Sequence, residues 1–212
     1  MDTKTVLIGV GLLALGGGVW YITHRDRQNT NRSNQATADN SDPAVQLAQE
    51  WFSALNVKTN MFNTSFTAGW TLYVSQSDIN RIYNVALKTY NWAQVQNKFS
   101  ALCNGTYTLT RAMQDAIGKE ETAYKNANNY ASMKKVLTTN NTVLVDCDKT
   151  GKLPTPTTAK EVKKGVIAGA FIDEKNITRN GETLACYICL NSVDNSGNLK
   201  YYATPKKFAK LV

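Results

Sequence analysis

The chain begins with an uninterrupted apolar run. Residues 5–22 form 18 consecutive positions without a charged side chain, just enough for a helix to span the hydrocarbon core of a bilayer. Trp20 and Tyr21 lie near the end of the run, where aromatic residues anchor a helix at the membrane interface. No small-x-small cleavage site follows, which favours an uncleaved anchor over a removed signal peptide. The pattern predicts a single transmembrane helix within residues 1–24.

The charges that flank this run predict its orientation. Arg25, Arg27 and Arg32 follow it, whereas Lys4 and the amino terminus precede it. Because positive charge concentrates on the cytoplasmic side of membrane helices, the body of the protein is expected in the cytoplasm or inside a virion assembled there. The expected location is therefore a membrane, with a single N-terminal anchor.

The same predicted helix carries small residues on one face, at Gly11, Ala14 and Gly18. Such spacing allows two membrane helices to approach closely, and it predicts a homo-oligomer formed through the transmembrane helix. The alternative is that these residues reflect only the usual glycine and alanine content of membrane helices.

Beyond the run, residues 25–42 contain no large apolar side chain and are predicted to form a polar linker. From Asp42 and Pro43 onward, apolar residues recur at helical spacing, with capping residues and glycine stops between the segments. Helices are predicted from Pro43 to Leu55, from Ser77 to Tyr90, from Asn91 to Leu102, from Thr108 to Gly118, and from Glu120 toward Leu137. This pattern is typical of a compact helical bundle.

After Leu137 the periodicity changes from helical to strand-like. Short apolar runs are separated by the turn signals Asn180-Gly181 and residues 194–198. The predicted strands are residues 143–145, 166–172, 183–190 and 199–203. Three or four short strands joined by tight turns favour a small barrel.

Together these segments predict an α+β fold class: an N-terminal single transmembrane helix, a polar tether, an α-helical bundle and a small C-terminal β-barrel-like domain. The predicted divisions are residues 1–24 (transmembrane anchor), 25–42 (polar linker), 43–138 (helical domain) and 139–212 (small basic β domain). A chain of 212 residues is too short for a large multidomain enzyme.

The charge of the chain is positive and unevenly distributed. There are 24 basic and 16 acidic side chains, and residues 134–212 hold 13 and 7 of them, which is +6 of the net +8. Lysines interleaved with aromatic residues suit the phosphates of nucleic acid or of anionic lipid. The residues predicted to bind an anionic partner are Lys160, Lys163, Lys164, Lys200, Lys206, Lys207 and Lys210. The alternative is a solvated lysine-rich face.

The sequence offers little for catalysis. Its one histidine, His24, follows the predicted membrane helix, where a rigid arrangement with a nucleophile is not expected. Cys186 and Cys189 form a CxxC, but residues three apart on a strand point to opposite faces, which disfavours a zinc or dithiol site. Three acidic pairs are expected to be solvated: Glu120 with Glu121, Asp146 with Asp148, and Asp173 with Glu174. We therefore predict a non-enzymatic protein without catalytic residues, metal or cofactor.

Two segments resemble known families. Residues 77–113 resemble the helical arrangement of an annexin repeat, with an acidic helix start, a helix ending in an aromatic residue and a leucine, and a glycine turn. Annexin repeats bind calcium through a glycine-rich loop, but residues 74–77 occupy that position without a glycine, so calcium binding is not implied. Residues 203–212 resemble the closing turn and last strand of a Src-homology-3-like barrel. The aromatic groove of proline-binding members is not evident, so their specificity is not implied.

The order of anchor, tether, annexin-like helices and terminal barrel resembles small accessory membrane proteins of bacteriophages that carry an internal lipid membrane. This resemblance and the missing catalytic set imply a non-enzymatic, single-pass membrane-anchored structural or scaffold protein of a virion, which contacts a partner protein. The alternative is a membrane-tethered binding module whose basic C-terminal domain holds an anionic polymer: DNA, anionic lipid or a cell-wall polymer.

Overall fold

The computed structural model describes residues 42–212. The helices in this range are α1 (Pro43–Ala54), α2 (Gln76–Lys88), α3 (Trp92–Leu102), α4 (Leu109–Ile117) and α5 (Glu121–Ser132). A small hairpin, β1 (Lys58–Thr59) with β2 (Phe66–Thr67), lies between α1 and α2. The later strands are β3 (Lys135–Thr138), β4 (Thr142–Cys147), β5 (Ala159–Val162), β6 (Ile167–Arg179), β7 (Glu182–Val193), β8 (Leu199–Pro205) and β9 (Ala209–Leu211). A 3₁₀ turn, Lys206–Phe208, separates β8 from β9.

The first four predicted helices are confirmed, because caps and apolar spacing agree in the sequence. At the start of α4, the Thr108 hydroxyl accepts the Arg111 N–H at 3.2 Å. The start of α2 differs slightly from the prediction, which used Ser77 as the cap. Ser75 and Asp78 form a capping box there, in which each side chain accepts the other residue's backbone N–H. The cap is therefore Ser75 instead of Ser77, and the helix begins two residues earlier than predicted.

The end of the helical segment differs more. The last helix stops at Ser132, and Lys135–Thr138 forms strand β3, so the prediction of a helix reaching toward Leu137 is wrong. Lys135 explains the stop. Its Nζ donates to the carbonyl oxygens of Tyr130 at 2.7 Å and Met133 at 2.6 Å, which have no partner within the helix once it ends.

The strands after α5 form one seven-stranded antiparallel sheet in the order β5-β4-β8-β7-β6-β3-β9. The long β6–β7 hairpin turns at Asn180 and Gly181, which have φ values of 53° and 80°. Val162 of β5 and Leu211 of β9 come from opposite edges of the sheet, yet both pack against the cluster that contains Leu144. All seven strands contribute to this cluster, so it runs across the sheet from one edge to the other.

The helices and the sheet share a hydrophobic core. Trp51 of α1, Ile82 of α2 and Phe99 of α3 are each 0% exposed. Leu190 and Val193 of β7 belong to the same buried cluster as these three residues. Burial of these large apolar side chains in one cluster stabilises the packing of the helices against the sheet.

The predicted fold class is wrong as stated. The described chain is α+β, with five α-helices and a β-sheet, and none of the helices within residues 42–212 is long and apolar enough to cross a membrane. The predicted span, residues 5–22, lies outside the described residues. Instead of three or four short strands, residues 135–211 provide seven strands, because β3, β5 and β9 are short pieces without a clear apolar alternation.

Two asparagines attach α2 to the end of β7. The Asn84 Nδ2 donates to the Val193 carbonyl at 3.0 Å, and its Oδ1 accepts the Val193 N–H at 2.7 Å. The side-chain amide thus forms the two hydrogen bonds that a neighbouring strand would otherwise form with Val193. One helical turn earlier, Asn80 is 2% exposed and donates from Nδ2 to the Asp194 carbonyl at 2.7 Å. The Asn84 bonds satisfy the Val193 backbone groups, which burial would otherwise leave unpaired, whereas the Asp194 carbonyl also accepts the Gly197 N–H at 2.9 Å.

We expect Asn84→Ala to lower the free energy of unfolding by about 2 kcal/mol, because the N–H and C=O of the buried Val193 both lose a partner. Asn97→Ala is the matched control, since Asn97 is an exposed asparagine of α3, and its effect should stay below about 0.5 kcal/mol. Urea unfolding followed by circular dichroism measures both variants. Equal losses would show that Asn84 does not anchor the helix to the sheet.

Candidate anion-binding surface

The seven lysines predicted to bind an anionic partner do not form one cluster. Lys200 lies at the start of β8, with its Nζ 3.6 Å from a carboxylate oxygen of Asp194. Lys206 follows the other end of β8, roughly 20 Å away along a strand of this length, and pairs with Glu174 of β6. These two lysines are neutralised by acidic neighbours and point to separate parts of the surface.

The structure does bring three of the other lysines to one end of the sheet. Thr138, the last residue of β3, is 1% exposed, and its hydroxyl donates to the Lys163 carbonyl at 2.8 Å. The same hydroxyl accepts the Val166 N–H at 2.9 Å. The Lys164 N–H donates to the Asn141 side chain at 3.0 Å. The β5–β6 connection, which carries Lys163 and Lys164, is therefore fastened to the β3–β4 turn.

The 3₁₀ turn is fastened to the same place. The Thr139 N–H donates to the Phe208 carbonyl at 2.8 Å, which brings the neighbouring Lys207 next to the β3–β4 turn. Lys210 lies on β9 directly opposite Leu137 of β3. Lys160 lies on the edge strand β5, opposite Leu144 of β4. We call these five exposed residues the lysine surface: Lys160, Lys163, Lys164, Lys207 and Lys210.

The lysine surface is poorly neutralised. None of its five ammonium groups forms an ion pair with a carboxylate of residues 42–212. The five lysines lie in two stretches of the chain, residues 160–164 and 207–210. These stretches contain one acidic residue, Glu161, so their net charge is +4. Ammonium groups held close together without counter-charges raise the local concentration of anions.

Aromatic rings lie beside the lysines at this end of the sheet. The Lys207 Nζ is 5.0 Å from the centroid of the Phe208 ring, and the Lys206 Nζ is 5.2 Å from that of Tyr187. The Tyr187 ring in turn meets Phe171 edge-on, with centroids 5.9 Å apart. The hydrogen bond from Lys206 to Glu174 raises the pKa of that lysine, so it stays charged. Each of the two lysines of the 3₁₀ turn therefore lies beside one partly exposed ring, Lys207 beside Phe208 of the turn and Lys206 beside Tyr187 of β7.

The cysteines do not form a reactive site. Cys186 and Cys189 both lie on β7, in different hydrophobic clusters, as expected for positions three apart on a strand. Burial raises the pKa of Cys189, and also of Cys147, to about 12, so these thiols stay protonated at neutral pH. Within residues 42–212, no group of three or more His, Cys, Asp or Glu side chains is placed to hold a metal ion.

In two of the predicted acidic pairs, hydrogen bonds lower the pKa of one carboxylate. Hydrogen bonds from Thr150 and Lys152 lower the pKa of Asp148. A hydrogen bond from Lys175 lowers the pKa of Asp173. A general acid needs a raised pKa, so neither carboxylate has the environment of one.

Sequence reasoning named the lysines but missed the residues that position them. Thr138 and Asn141 fasten the loops together, yet a threonine and an asparagine in a chain rich in both carry no sequence signal for that role. The predicted membrane-helix residues lie outside the described residues: Gly11, Ala14, Gly18, Trp20 and Tyr21.

Comparisons with known proteins identified no relative of this chain. No protein-family model, curated protein or solved structure matches the chain. The resemblances to annexin repeats, to Src-homology-3-like barrels and to membrane proteins of bacteriophages therefore stay predictions from the sequence.

Proposed function

We propose that the chain is a non-enzymatic binding module that holds a phosphate-bearing polymer, nucleic acid, on the lysine surface. The observation that carries the proposal is the convergence of Lys163, Lys164 and Lys207 on the β3–β4 turn. Their ammonium groups are exposed, and no carboxylate of residues 42–212 pairs with them.

The distribution of the five lysines favours a polyanion over a single small anion as the ligand. The five lysines come from two separate connections and two edge strands, so they spread over a surface instead of lining one pocket. A polyanion can touch several of them at once and release one condensed counterion for each phosphate that is neutralised. The release of these counterions makes binding favourable, and it does not require a closed cavity.

Aromatic rings beside the lysines fit nucleic acid. Phe208 and Tyr187 lie half-buried beside Lys207 and Lys206. Nucleic acid presents phosphates to the ammonium groups and flat bases to the rings. Anionic lipid also presents phosphates, and its interface accepts aromatic rings, so a direct comparison of DNA with vesicles decides between the two partners.

We expect the full-length chain to bind labelled DNA, with a binding constant that falls steeply as salt rises. The triple variant Lys163→Gln, Lys164→Gln, Lys207→Gln should bind more weakly, and the slope of log K against log salt should shrink by about 3, since each lost phosphate contact removes about 0.9. Fluorescence anisotropy at several salt concentrations measures the slope. Anisotropy with single-stranded and duplex DNA shows which form is preferred.

The matched control removes the same charge from exposed lysines of the helical part of the chain: Lys88→Gln, Lys119→Gln, Lys125→Gln. It should leave the slope nearly unchanged. If both triple variants lose the same affinity, binding reflects net charge and not the lysine surface. Binding to vesicles of anionic phospholipid, with none to DNA, would replace nucleic acid with a lipid surface as the partner.

The membrane-anchored structural or scaffold function stays a prediction. It depends on residues 5–22, which lie outside the described residues, and on a lipid membrane and a protein partner that no comparison tests. The proposed binding module does not require that anchor, because every residue that carries it lies within residues 138–210.

A further inference from the structure

The β6–β7 hairpin leaves one long strand edge uncovered. β3 pairs with β6 only at residues 167–170, although β6 continues to Arg179. Within residues 42–212, no strand lies beside residues 172–179 on the side away from β7. This edge contains neither proline nor glycine, so its backbone can pair with another strand.

The turn of the hairpin determines which residues face outward. In a two-residue turn, the residues that flank it, here Arg179 and Glu182, face each other across the hairpin. Since hydrogen bonding alternates along a strand, the N–H and C=O groups of Glu174, Asn176 and Thr178 point away from β7. One of these N–H groups, that of Glu174, donates locally to the Asp173 side chain at 2.8 Å.

An antiparallel pair of identical strands has its two-fold axis perpendicular to the sheet. Rotation about this axis keeps each side chain on its own face, so the axis lies midway between one residue and the same residue of the other copy. An axis at Glu174 or at Lys175 would place two like charges directly opposite each other. An axis at Ile177 would place Lys175 opposite Arg179, again two positive charges.

Among the axes at residues 174–177, the one at Asn176 avoids this repulsion. It places Asp173 of each strand opposite Arg179 of the other, which makes two pairs of opposite charge. Glu174 then lies opposite Thr178, so all the outward-facing backbone groups named above find partners. At the centre of this interface, Asn176 lies opposite Asn176 of the other copy.

We propose that two copies of this chain associate through residues 172–180 of β6, as antiparallel strands related by a two-fold axis at Asn176. The hairpins overlap near their tips, and each copy's remaining strands lie at the opposite end of the paired segment. Exposed side chains at Asn176, Thr178 and Arg179 leave the edge accessible within the described structure. The interface is independent of the lysine surface and of residues 5–22.

A cysteine at the proposed axis tests the register in the full-length chain. Asn176→Cys should form a disulfide-linked dimer under mild oxidation, because opposed residues of an antiparallel pair have Cα atoms about 5 Å apart. Thr178→Cys is the matched control. It is an exposed position on the same strand, but in this register the two copies of residue 178 lie about 13 Å apart and should not crosslink.

A charge reversal tests the same register without a crosslink. Arg179→Glu places like charges opposite Asp173 at both ends of the interface and should raise the dimer dissociation constant about tenfold in sedimentation equilibrium. The double variant Asp173→Lys with Arg179→Glu restores opposite charges and should recover the wild-type value. Circular dichroism and melting confirm that each variant is folded, and the unaltered chain reports any linkage through its four buried cysteines.

Three results would overturn the proposal. The first is an absence of the disulfide in the folded Asn176→Cys chain, and the second is equal crosslinking of the Asn176→Cys and Thr178→Cys chains. The third is a double charge variant that dimerises no better than Arg179→Glu alone. Association through the predicted membrane helix would give dimers insensitive to all of these substitutions.

Discussion

Gly169→Ala is expected to destabilise the protein by about 4 kcal/mol. Gly169 lies on β6 with φ 148°, a conformation that residues with a side chain rarely adopt. A Cβ at this position would lie 2.4 Å from the Leu190 carbonyl oxygen and 2.8 Å from the carbonyl carbon. Backbone strain and overpacking each cost about 1–3 kcal/mol, and here neither can be relieved by rotating a side chain.

The matched control is Gly197→Ala in the β7–β8 turn. Gly197 also has a positive φ, 85°, but a Cβ there would meet no heavy atom within 4 Å, so only backbone strain of about 1 kcal/mol is expected. Urea unfolding of both variants separates the strain from the close approach of β6 to β7. If Gly169→Ala costs no more than Gly197→Ala, the contact with Leu190 is not what requires glycine at position 169.

This glycine also shows what sequence can and cannot predict for the sheet. The Asn180-Gly181 turn and the strands on either side are evident from local patterns, because turn chemistry and apolar runs occur within a few residues of each other. Gly169 of β6 lies close to Leu190 of β7. The register of β6 against β3 shifts near this point, and so does the register of β7 against β8. Such irregular registers have no local signature.

The helices were more predictable, since a cap and a 3.6-residue period are properties of one segment. Thr108 before Leu109 suffices to place α4. Strand β3 was missed because its first residue is a lysine that is 0% exposed, in a position that sequence alone assigns to the surface. Strand β5 was missed for the opposite reason, since its residues are mostly exposed and show no alternation.

The lysine surface was predictable in composition and not in arrangement. Charge counting identified the basic C-terminal segment, but the length of β8 separates Lys200 from Lys206, and acidic neighbours neutralise both. Lys163 and Lys207 lie more than 40 residues apart in the chain, and they converge because Thr138 bonds to the connection that carries the first and Thr139 to the turn that carries the second. Tertiary contacts of this kind decide which charges can act together.

Lys135 gives the second large prediction. Its ammonium group is fully buried and donates to the carbonyl oxygens of Tyr130, Ala131 and Met133 at the end of α5. Lys135→Ala should lower the free energy of unfolding by about 3 kcal/mol at pH 7, because it removes three methylene groups from the core and leaves these carbonyls without their donor. Lys135→Met keeps the apolar stem and should cost about 2 kcal/mol less.

The pH dependence of this cost separates the charge from the packing. Burial lowers the pKa of Lys135 from 10.5 to about 8. Between these values the unfolded chain holds a proton that the folded chain has released, so the wild-type protein gains stability as the pH rises. The full gain is about 3 kcal/mol, at about 1.4 kcal/mol per pKa unit. Neither variant has this gain, so both should become more costly between pH 7.5 and pH 10.

Urea unfolding of the wild type and the two variants at half-unit pH steps measures this difference. The buried thiols of Cys147 and Cys189, with pKa values raised to about 12, destabilise all three proteins above about pH 9, where the unfolded chain loses protons that the folded chain keeps. That common effect cancels when variant and wild type are compared at one pH. A difference that stays flat from pH 7.5 to pH 10 would mean that Lys135 stabilises the end of α5 by packing, without the cost of a buried charge.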